Sequence, residues 1–537
     1  MDWATIERAR ERLNSETGTI SKDWGGRLPV ALVYPNSYYV GMSNLGVHVI
    51  YRLFNSYPDV VCERVFYEEA DAVPASLESQ RPLHNFAILA FSLSFELDYL
   101  HLIDLLRRSG IPLASAERDE TFPLLVAGGP CVMANPEPLA PIVDAFAIGE
   151  GEVIVPQLVR VLAESPDLRR GELLTRLGAL PGIYVPSLYS VGRDDFQINA
   201  IEPTKGAPYP VERQWLRDLD SQPATSVVLT SETQFGDMYL VEATRGCGRG
   251  CHFCLAAAAY SPVRERSPQT LLTAARRGLA YRDTVGLVGA SISDYSQLPE
   301  LVAGLRSEGA RISVASLRVD PLPEPLLEGL AASGSQTITI APEAGSERLR
   351  RKIRKGISTE DIMSAVDLVG RYDFPHLKLY FMVGLPGEDS SDVEAIVGLM
   401  KEVRRRFTRR ITANITPFVP KAQTPFQRLA MASRDSLRSR IDYIKTALAP
   451  LRIDTRADSA RWAEVQAILA RGDREVGGAL MALKGDTWSA WMRALSAANL
   501  DPSKYLGGLA QEALLPWSAI SPESCAPVRE RADPTPQ

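Results

Sequence analysis

Short apolar runs recur along this chain, each followed by a stretch with helical periodicity, and they fall into two separate series. Strands that are apolar on both faces are buried on both faces, as in a parallel sheet covered by helices. The first series has apolar runs at residues 28–35, 86–92, 122–129 and 145–149, with helical segments at 46–54 and 97–108. It predicts an α/β, doubly wound domain of the Rossmann or flavodoxin type over residues 29–196. The second has runs at 238–242, 285–289, 311–316, 337–341, 377–384 and 410–416. Six strands with intervening helices predict a (β/α)6 partial TIM barrel over 236–430, and chemistry in such barrels belongs at the carboxyl ends of the strands. The remaining segments read as an N-terminal helical segment (1–28), a Pro-containing linker (197–235) and a helical C-terminal region (431–521). A tail (522–537) rich in Pro, Arg and Glu is expected to be disordered.

Three of the six cysteines stand together in the loop after the first strand of the second series, as Gly246-Cys247-Gly248-Arg249-Gly250-Cys251-His252-Phe253-Cys254. This spacing puts three thiolates on one tight turn. They can bind three irons of a [4Fe–4S] cubane and leave the fourth iron without a protein ligand. The alternating glycines let the backbone turn sharply and approach the cluster. The competing reading is a structural zinc knuckle with His252 or a distant residue as fourth ligand, but no second Cys or His pair lies nearby to close such a set. Cys62, Cys131 and Cys525 stand singly, which argues against a disulfide framework and for a reducing compartment. The charged N-terminus lacks a signal core, and no apolar run approaches the ~20 residues of a membrane span, so a cytoplasmic protein is expected.

The cysteine loop resembles that of the radical S-adenosylmethionine (SAM) superfamily. The likeness extends to the class that carries an N-terminal cobalamin-binding-like domain, and within it to an uncharacterised bacterial family. It rests on residues 34–46, Ala127-Gly128-Gly129-Pro130-Cys131, Asn135-Pro136-Glu137-Pro138, Gly149-Glu150-Gly151-Glu152, residues 341–348, Phe418-Val419-Pro420-Lys421, residues 470–474 and Leu515-Pro516-Trp517. The resemblance implies SAM bound to the open iron, cleavage to a 5′-deoxyadenosyl radical, and an electron donor such as flavodoxin or ferredoxin. It also suggests strand-end residues around SAM. Gly289 and Ser291 lie where the superfamily has a Gly-Gly-Glu type turn, although the acid is missing here. Arg318 is a candidate for the SAM carboxylate, Glu343 for the ribose or ammonium, and Gly384 for close approach of adenine or sulfonium. Plain alternatives are a surface salt bridge for Arg318, a helix N-terminal acid for Glu343 and loop punctuation for Gly384.

In cobalamin domains of this fold an Asp-x-His-x-x-Gly loop supplies the cobalt ligand. Here Ser43 stands in place of the histidine and Gly41 in place of the aspartate, while Ser92 and the Gly128-Gly129 turn keep the order of the remaining motif. Cobalamin is therefore possible, without its axial histidine; the alternative is a doubly wound domain serving as lid or substrate platform. His48 is expected on the following helix. The basic runs at 348–355 and 404–410 read as solvated helix faces or C-termini. The net charge of −6 does not indicate nucleic acid, though RNA is not excluded. The leading expectation is hydrogen abstraction by a radical SAM enzyme, with possible methyl transfer from methylcobalamin on a substrate the sequence does not name. The alternatives are methylthiotransferase-like RNA modification, which would require a second cluster, and a non-catalytic iron–sulfur or cobalamin-binding scaffold.

Overall fold

The structure, a computed structural model, describes residues 3–165, 168–194, 197–204, 206–320 and 322–521. The expected disordered tail at 522–537 lies outside the described residues.

The first series forms a six-stranded sheet. Its strands are β1 (Leu28–Tyr34), β2 (Val60–Phe66), β3 (Ile88–Ser92), β4 (Leu124–Gly128), β5 (Ala145–Ala147) and β6 (Ile183–Tyr184), in the order β2-β1-β3-β4-β5-β6. All pair in parallel except β6, which runs antiparallel to β5. Val30, Ala31 and Val33 have no exposed surface, as expected of a strand covered on both faces. β2 was not anticipated: Glu63 and Arg64 interrupt its apolar pattern. Both are nevertheless buried, because Arg64 pairs with Glu16 (2.6 Å) and Glu78 (2.7 Å) while Glu63 accepts from Trp24 Nε1 (2.7 Å).

The second series forms a partial barrel of parallel strands: β7 (Met238–Glu242), β8 (Thr284–Val288), β9 (Arg311–Val314), β10 (Thr337–Glu343), β11 (His376–Val383) and β12 (Arg410–Pro417). Between β9 and β10 the ladder is reduced to one bridge, with Leu317 N–H donating to Thr339 O (3.0 Å). Along β11, Leu377, Leu379, Phe381 and Val383 are buried under the helices, whereas Tyr380, on the opposite face, is 40% exposed. That face is the barrel lumen.

Two boundaries differ from expectation. The region from 431 is not purely helical: β13 (Asp454–Ala457) adds a seventh parallel strand beside β12. The linker expected at 197–235 begins as a strand, Gln197–Pro203, in a hairpin with Tyr189–Asp194. Beyond β13, the helix Ala460–Arg471 contributes Val465, Ile468 and Leu469 to the first domain's core and Ala460, Ala463 and Ala467 to the barrel's. Trp491 is fully buried on the first-domain side and Trp517 is 2% exposed, so both are core residues. No helix among the described residues is long and apolar enough to cross a membrane.

Candidate functional site

The cysteine loop leaves the carboxyl end of β7 and returns through a two-residue ribbon in which Thr244–Arg245 pairs antiparallel with Arg264–Glu265. At its entrance Gly246 has φ +86°, and a Cβ there would lie 2.8 Å from Pro262 O. Only glycine makes this turn without strain. Gly250, at φ +64°, makes the next. Cys254 stands at the N-cap position of the short helix Leu255–Ala259, its N–H donates to Cys251 O (3.1 Å), and the backbone of Ala256 and Ala257 favours its thiolate. Burial pushes the Cys251 and Cys254 thiols up, and each feels the other cysteines of the loop. Lys355 and Arg318 act in the opposite sense on Cys251, favouring its thiolate.

The loop offers three thiols, and a structural zinc ion would need a fourth protein ligand whereas a cubane in which each thiolate holds its own iron needs only three. His252 is engaged elsewhere, with Nδ1 3.2 Å from Lys352 O and its ring edge-on to Phe426.

The base of the loop is held by charge. Glu150, at the end of the first sheet, accepts from Arg245 (2.7 Å), from Arg264 (2.7 Å to Oε1, 3.0 Å to Oε2) and from Leu216 N–H (2.9 Å). Arg245 also meets Glu152 and Glu242, each at 2.8 Å. One carboxylate of the first domain thus grips both strands of the ribbon that carries the cysteines.

The structure gives each predicted strand-end residue neighbours within the protein. Gly289 lies against Thr244, and a Cβ would also meet Ile292 Cδ1 at 2.8 Å, so its glycine is explained by packing of the turn on the cysteine strand. Ser291 Oγ donates to Asp294 Oδ2 (2.8 Å), and Asp294 is gripped by Arg249 of the cysteine loop. Arg318 donates to Asp320 Oδ1 (3.0 Å) and Lys355 O (3.3 Å). Glu343 accepts from Lys355 Nζ (3.0 Å) and has φ +66°, a costly conformation for a residue with a side chain. Burial pushes its carboxyl up and Lys355 only partly offsets this. Gly384, at φ +82°, donates to Glu388 Oε2 (2.6 Å), and a Cβ there would strike Leu437 at 2.6 Å. The structure therefore brings Ser291, Arg318 and Glu343 toward the cysteines, with Asp294, Arg249 and Lys355 beside them. Gly289 and Gly384 shape turns.

The family description "Radical SAM proteins, N-terminal" matches residues 46–186, and "Radical SAM superfamily" matches 241–400. An uncharacterized protein of Methanocaldococcus jannaschii is 32% identical over 452 residues, covering 83% of this chain and 89% of its own length. The chain belongs to the radical SAM superfamily. A tRNA-2-methylthio-N(6)-dimethylallyladenosine synthase of Pelotomaculum thermopropionicum is 21% identical over 251 residues, 43% of this chain and 53% of that one. Among solved structures, the radical SAM methyltransferase TsrM from Kitasatospora setae, with cobalamin and a [4Fe–4S] cluster bound, superposes with a TM-score of 0.54 at 13% identity, over 88% of this chain and 99% of that one. The present radical SAM protein is accordingly an enzyme, and its family's cofactors are a [4Fe–4S] cluster and SAM.

The first domain of this radical SAM enzyme offers cobalt no protein ligand at the expected loop. Ser43 Oγ donates to Tyr39 O (2.7 Å), lies 2.7 Å from Thr233 Oγ1 and accepts from Gln234 N–H (3.0 Å). His48 is buried, with Nε2 3.1 Å from Met42 O and Nδ1 accepting from Val227 N–H (3.1 Å); burial pushes its pKa down to about 4. Ser92 pairs in register with Gly128, and Gly129, at φ +110°, lies against the Leu93 backbone. These glycines serve strand-end packing. The loop does not fit an axially ligated corrin.

Several side chains that carry no cofactor reading in the sequence join the domains. Lys421 Nζ donates to both oxygens of Glu96 (2.6 Å each), and Gln466 Nε2 donates to the second (2.9 Å). Asn135 Nδ2 donates to Gly472 O (2.8 Å) and Arg474 to Glu137 (2.8 Å). In the basic run 348–355, Arg350 is not a solvated residue: it is fully buried and donates to Ala344 O (2.9 Å), Gly345 O (2.8 Å), Ile357 O (3.0 Å) and Thr359 Oγ1 (2.6 Å). It fixes the turn that presents Glu343.

Proposed function

We propose that Cys247, Cys251 and Cys254 hold the [4Fe–4S] cluster, that SAM binds at its open iron, and that the enzyme abstracts hydrogen from a carbon of a substrate seated in the barrel lumen beneath the first domain. When bound, the cluster and SAM supply one-electron reductive cleavage of the sulfonium to a 5′-deoxyadenosyl radical. The chain's own part is to hold the three thiols on one glycine-hinged turn at a strand carboxyl end, to place Ser291, Asp294, Arg318, Glu343 and Lys355 around it, and to cover the mouth with the first domain. The observation that carries this reading is the turn itself: three thiols on one short loop at a strand carboxyl end of a parallel barrel, with two glycines at positive φ. The electron is assigned to a flavodoxin- or ferredoxin-type donor and the protein to a reducing cytoplasm. A second cluster for methylthiotransfer lacks support among the described residues, because Cys62, fully buried in β2, and Cys131, buried in the helix Pro130–Ala134, cannot supply three further ligands.

The test is anaerobic reconstitution with iron and sulfide, followed by chromatography of products after reduction with SAM present. Wild-type protein should carry about four irons and release 5′-deoxyadenosine and methionine; Cys254→Ala should lose cluster and cleavage together. A cubane spectrum retained in that variant would overturn the ligand set. The likeness to TsrM supports one further reading, methyl transfer with cobalamin held without a protein imidazole from this loop. Corrin absorbance retained on washed protein would favour it, and its absence would leave hydrogen abstraction alone.

A further inference from the structure

Two basic runs stand out in a chain of net charge −6, and the fold treats them differently. In the run 404–410 every arginine is engaged. Arg404 donates to the Phe407, Thr408 and Arg409 carbonyls, Arg405 pairs with Glu402 (2.8 Å), Arg406 with Asp367 (2.6 Å), Arg409 with Asp373 and Arg410 with Asp454 (3.6 Å). Residues 347–355 carry six cations and one carboxylate, Glu347. Arg350 and Lys355 are turned inward, to the Ala344 and Gly345 carbonyls and to Glu343, and Arg348 meets Asp392. Arg351, Lys352 and Arg354 are left on the surface. The Arg351 side chain is 73% exposed with Glu347 3.6 Å away. Those of Lys352 and Arg354, both exposed, have no ion pair or hydrogen bond among the described residues.

This patch is fastened to the outside of the cysteine loop. His252, between two of the thiols, donates its N–H to Ile353 O (3.0 Å) and holds Nδ1 3.2 Å from Lys352 O. Arg354 lies over Gly250, where a Cβ would sit 3.4 Å from its Nη1. Leu349 and Ile353 pack with Phe418 and Phe426, and Phe253 of the loop packs against them. Cations in the last turn of a helix answer its dipole, but Arg354 stands beyond the helix Glu347–Lys352. Arg348 with Lys352, and Arg351 with Lys355, are also like charges at i,i+4, a spacing that destabilises. A structural role does not require such crowding, whereas attraction of an acidic partner does. RNA would need a longer basic track along its backbone. We propose that Arg351, Lys352 and Arg354 form the docking surface for the electron donor, a small carrier protein with an acidic face around its redox centre. This rests on the reading of the cysteine loop as the cluster site. In the complex one electron leaves the carrier, which is oxidised by one, and reduces the cluster by one.

The decisive experiment sets a protein reductant against a small one. Reconstituted full-length protein is mixed with reduced flavodoxin, an acidic carrier, or with titanium(III) citrate, which needs no docking surface, and bleaching of the cluster is followed by stopped-flow absorbance. Calorimetry with oxidised flavodoxin gives the affinity independently of turnover. In Arg351→Glu/Lys352→Glu, reduction by flavodoxin should slow at least about tenfold at low salt, and binding should weaken by a similar factor. Reduction by titanium(III) citrate should stay within about twofold of wild type, as should iron and sulfide content. Raising the salt to about 0.3 M should remove most of the difference by slowing wild type. Arg405→Glu/Arg406→Glu changes the net charge equally and should leave flavodoxin reduction within about twofold. Equal slowing with both reductants, an equal effect in the Arg405→Glu/Arg406→Glu control, salt-independent reduction of wild type, or flavodoxin that neither binds nor reduces wild type would overturn the assignment. So would purified tRNA that binds wild type but not Arg351→Glu/Lys352→Glu while flavodoxin reduction is unchanged, since the patch would then belong to nucleic acid. Wild-type protein that takes up no cluster would overturn the parent reading, a failure distinct from any at the patch.

Discussion

Replacing Glu150 by Gln should release the cysteine ribbon from the first domain. Glu150 is 5% exposed, and although burial alone would push its carboxyl up, Arg264, Arg245 and the Leu216 N–H outweigh it and hold the group below the usual carboxylate range. Its negative charge therefore belongs to the folded state. The amide keeps the shape but leaves two buried guanidiniums facing a neutral group. Their losses are unequal: Arg245 retains the carboxylates of Glu152 and Glu242, whereas Arg264 keeps no carboxylate, only backbone carbonyls at Pro262, Tyr260 and Leu216 and the face of the Trp215 ring. Breaking a buried pair from one side costs about 3–5 kcal/mol, and most of this should fall on the Arg264 strand. Because a chain of several domains does not unfold in one step, the appropriate assay is local. Native-state hydrogen exchange over residues 244–265 should accelerate by about two to three orders of magnitude in Glu150→Gln, with the β1–β4 core unchanged. Glu152→Gln serves as the control and should move the same amides far less, since Arg245 retains two carboxylates. Exchange in Glu150→Gln within about fivefold of wild type, equivalent to about 1 kcal/mol, would refute the claim that this carboxylate anchors the loop.

Asp98 is 2% exposed with Oδ2 unpartnered; burial, partly offset by Asn36, pushes its pKa up to about 7. A carboxyl raised on folding stabilises most below its unfolded pKa and loses that contribution as pH rises through its folded value. Wild type should therefore become less heat-stable between about pH 4 and pH 7, and Asp98→Asn should flatten that slope; an unchanged slope contradicts the burial argument. Gly129→Ala forces a side chain into φ +110° with its Cβ 2.5 Å from Leu93 O, so its melting temperature should fall by an amount matching about 1–3 kcal/mol; a neutral result would mean that the strand-end packing is misread. Arg350→Met leaves buried carbonyls of Ala344, Gly345 and Ile357 without a donor, and hydrogen exchange across 343–358 should speed up while the cluster still loads; unaltered exchange would show that the turn holds without it.

The parts legible in the sequence are those where one physical rule acts along the chain. Apolar strands such as 30–34 and 377–383 announce themselves because both faces are buried, and the cysteine triplet because its ligands are contiguous. Elements escaped where burial is achieved by partners remote in sequence. β2 carries Glu63 and Arg64 in its middle, and only Glu16, Glu78 and Trp24, from other parts of the chain, make those charges tolerable there. β13 reads Asp-Thr-Arg-Ala, a polar run that β12 recruits by backbone pairing.

Two of the motifs quoted for family likeness in the first domain, 135–138 and 149–152, acquire a common cause once the two sheets are seen together, and Glu96 shares it. Glu96 follows β3, Asn135 and Glu137 follow β4, and Glu150 follows β5; each therefore stands at a carboxyl end of the first sheet. Their partners are Lys421 on the loop after β12, the Arg245 and Arg264 pair of the cysteine ribbon after β7, and the 470–474 segment. Carboxyl ends of parallel strands are where open α/β sheets and barrels both build ligand sites. Here the two such edges are turned toward one another and joined by buried charge beside a small apolar cluster of Ala134, Ala422, Leu515 and Trp517. An apolar seam would favour contact anywhere along its surface, whereas paired charges and amide–carbonyl bonds tolerate only one register. The joint thus sets the height of the first domain above the cysteines to within hydrogen-bond tolerance. On this reading it is the four ties, and not the barrel alone, that define the chamber in which a substrate would meet the cluster.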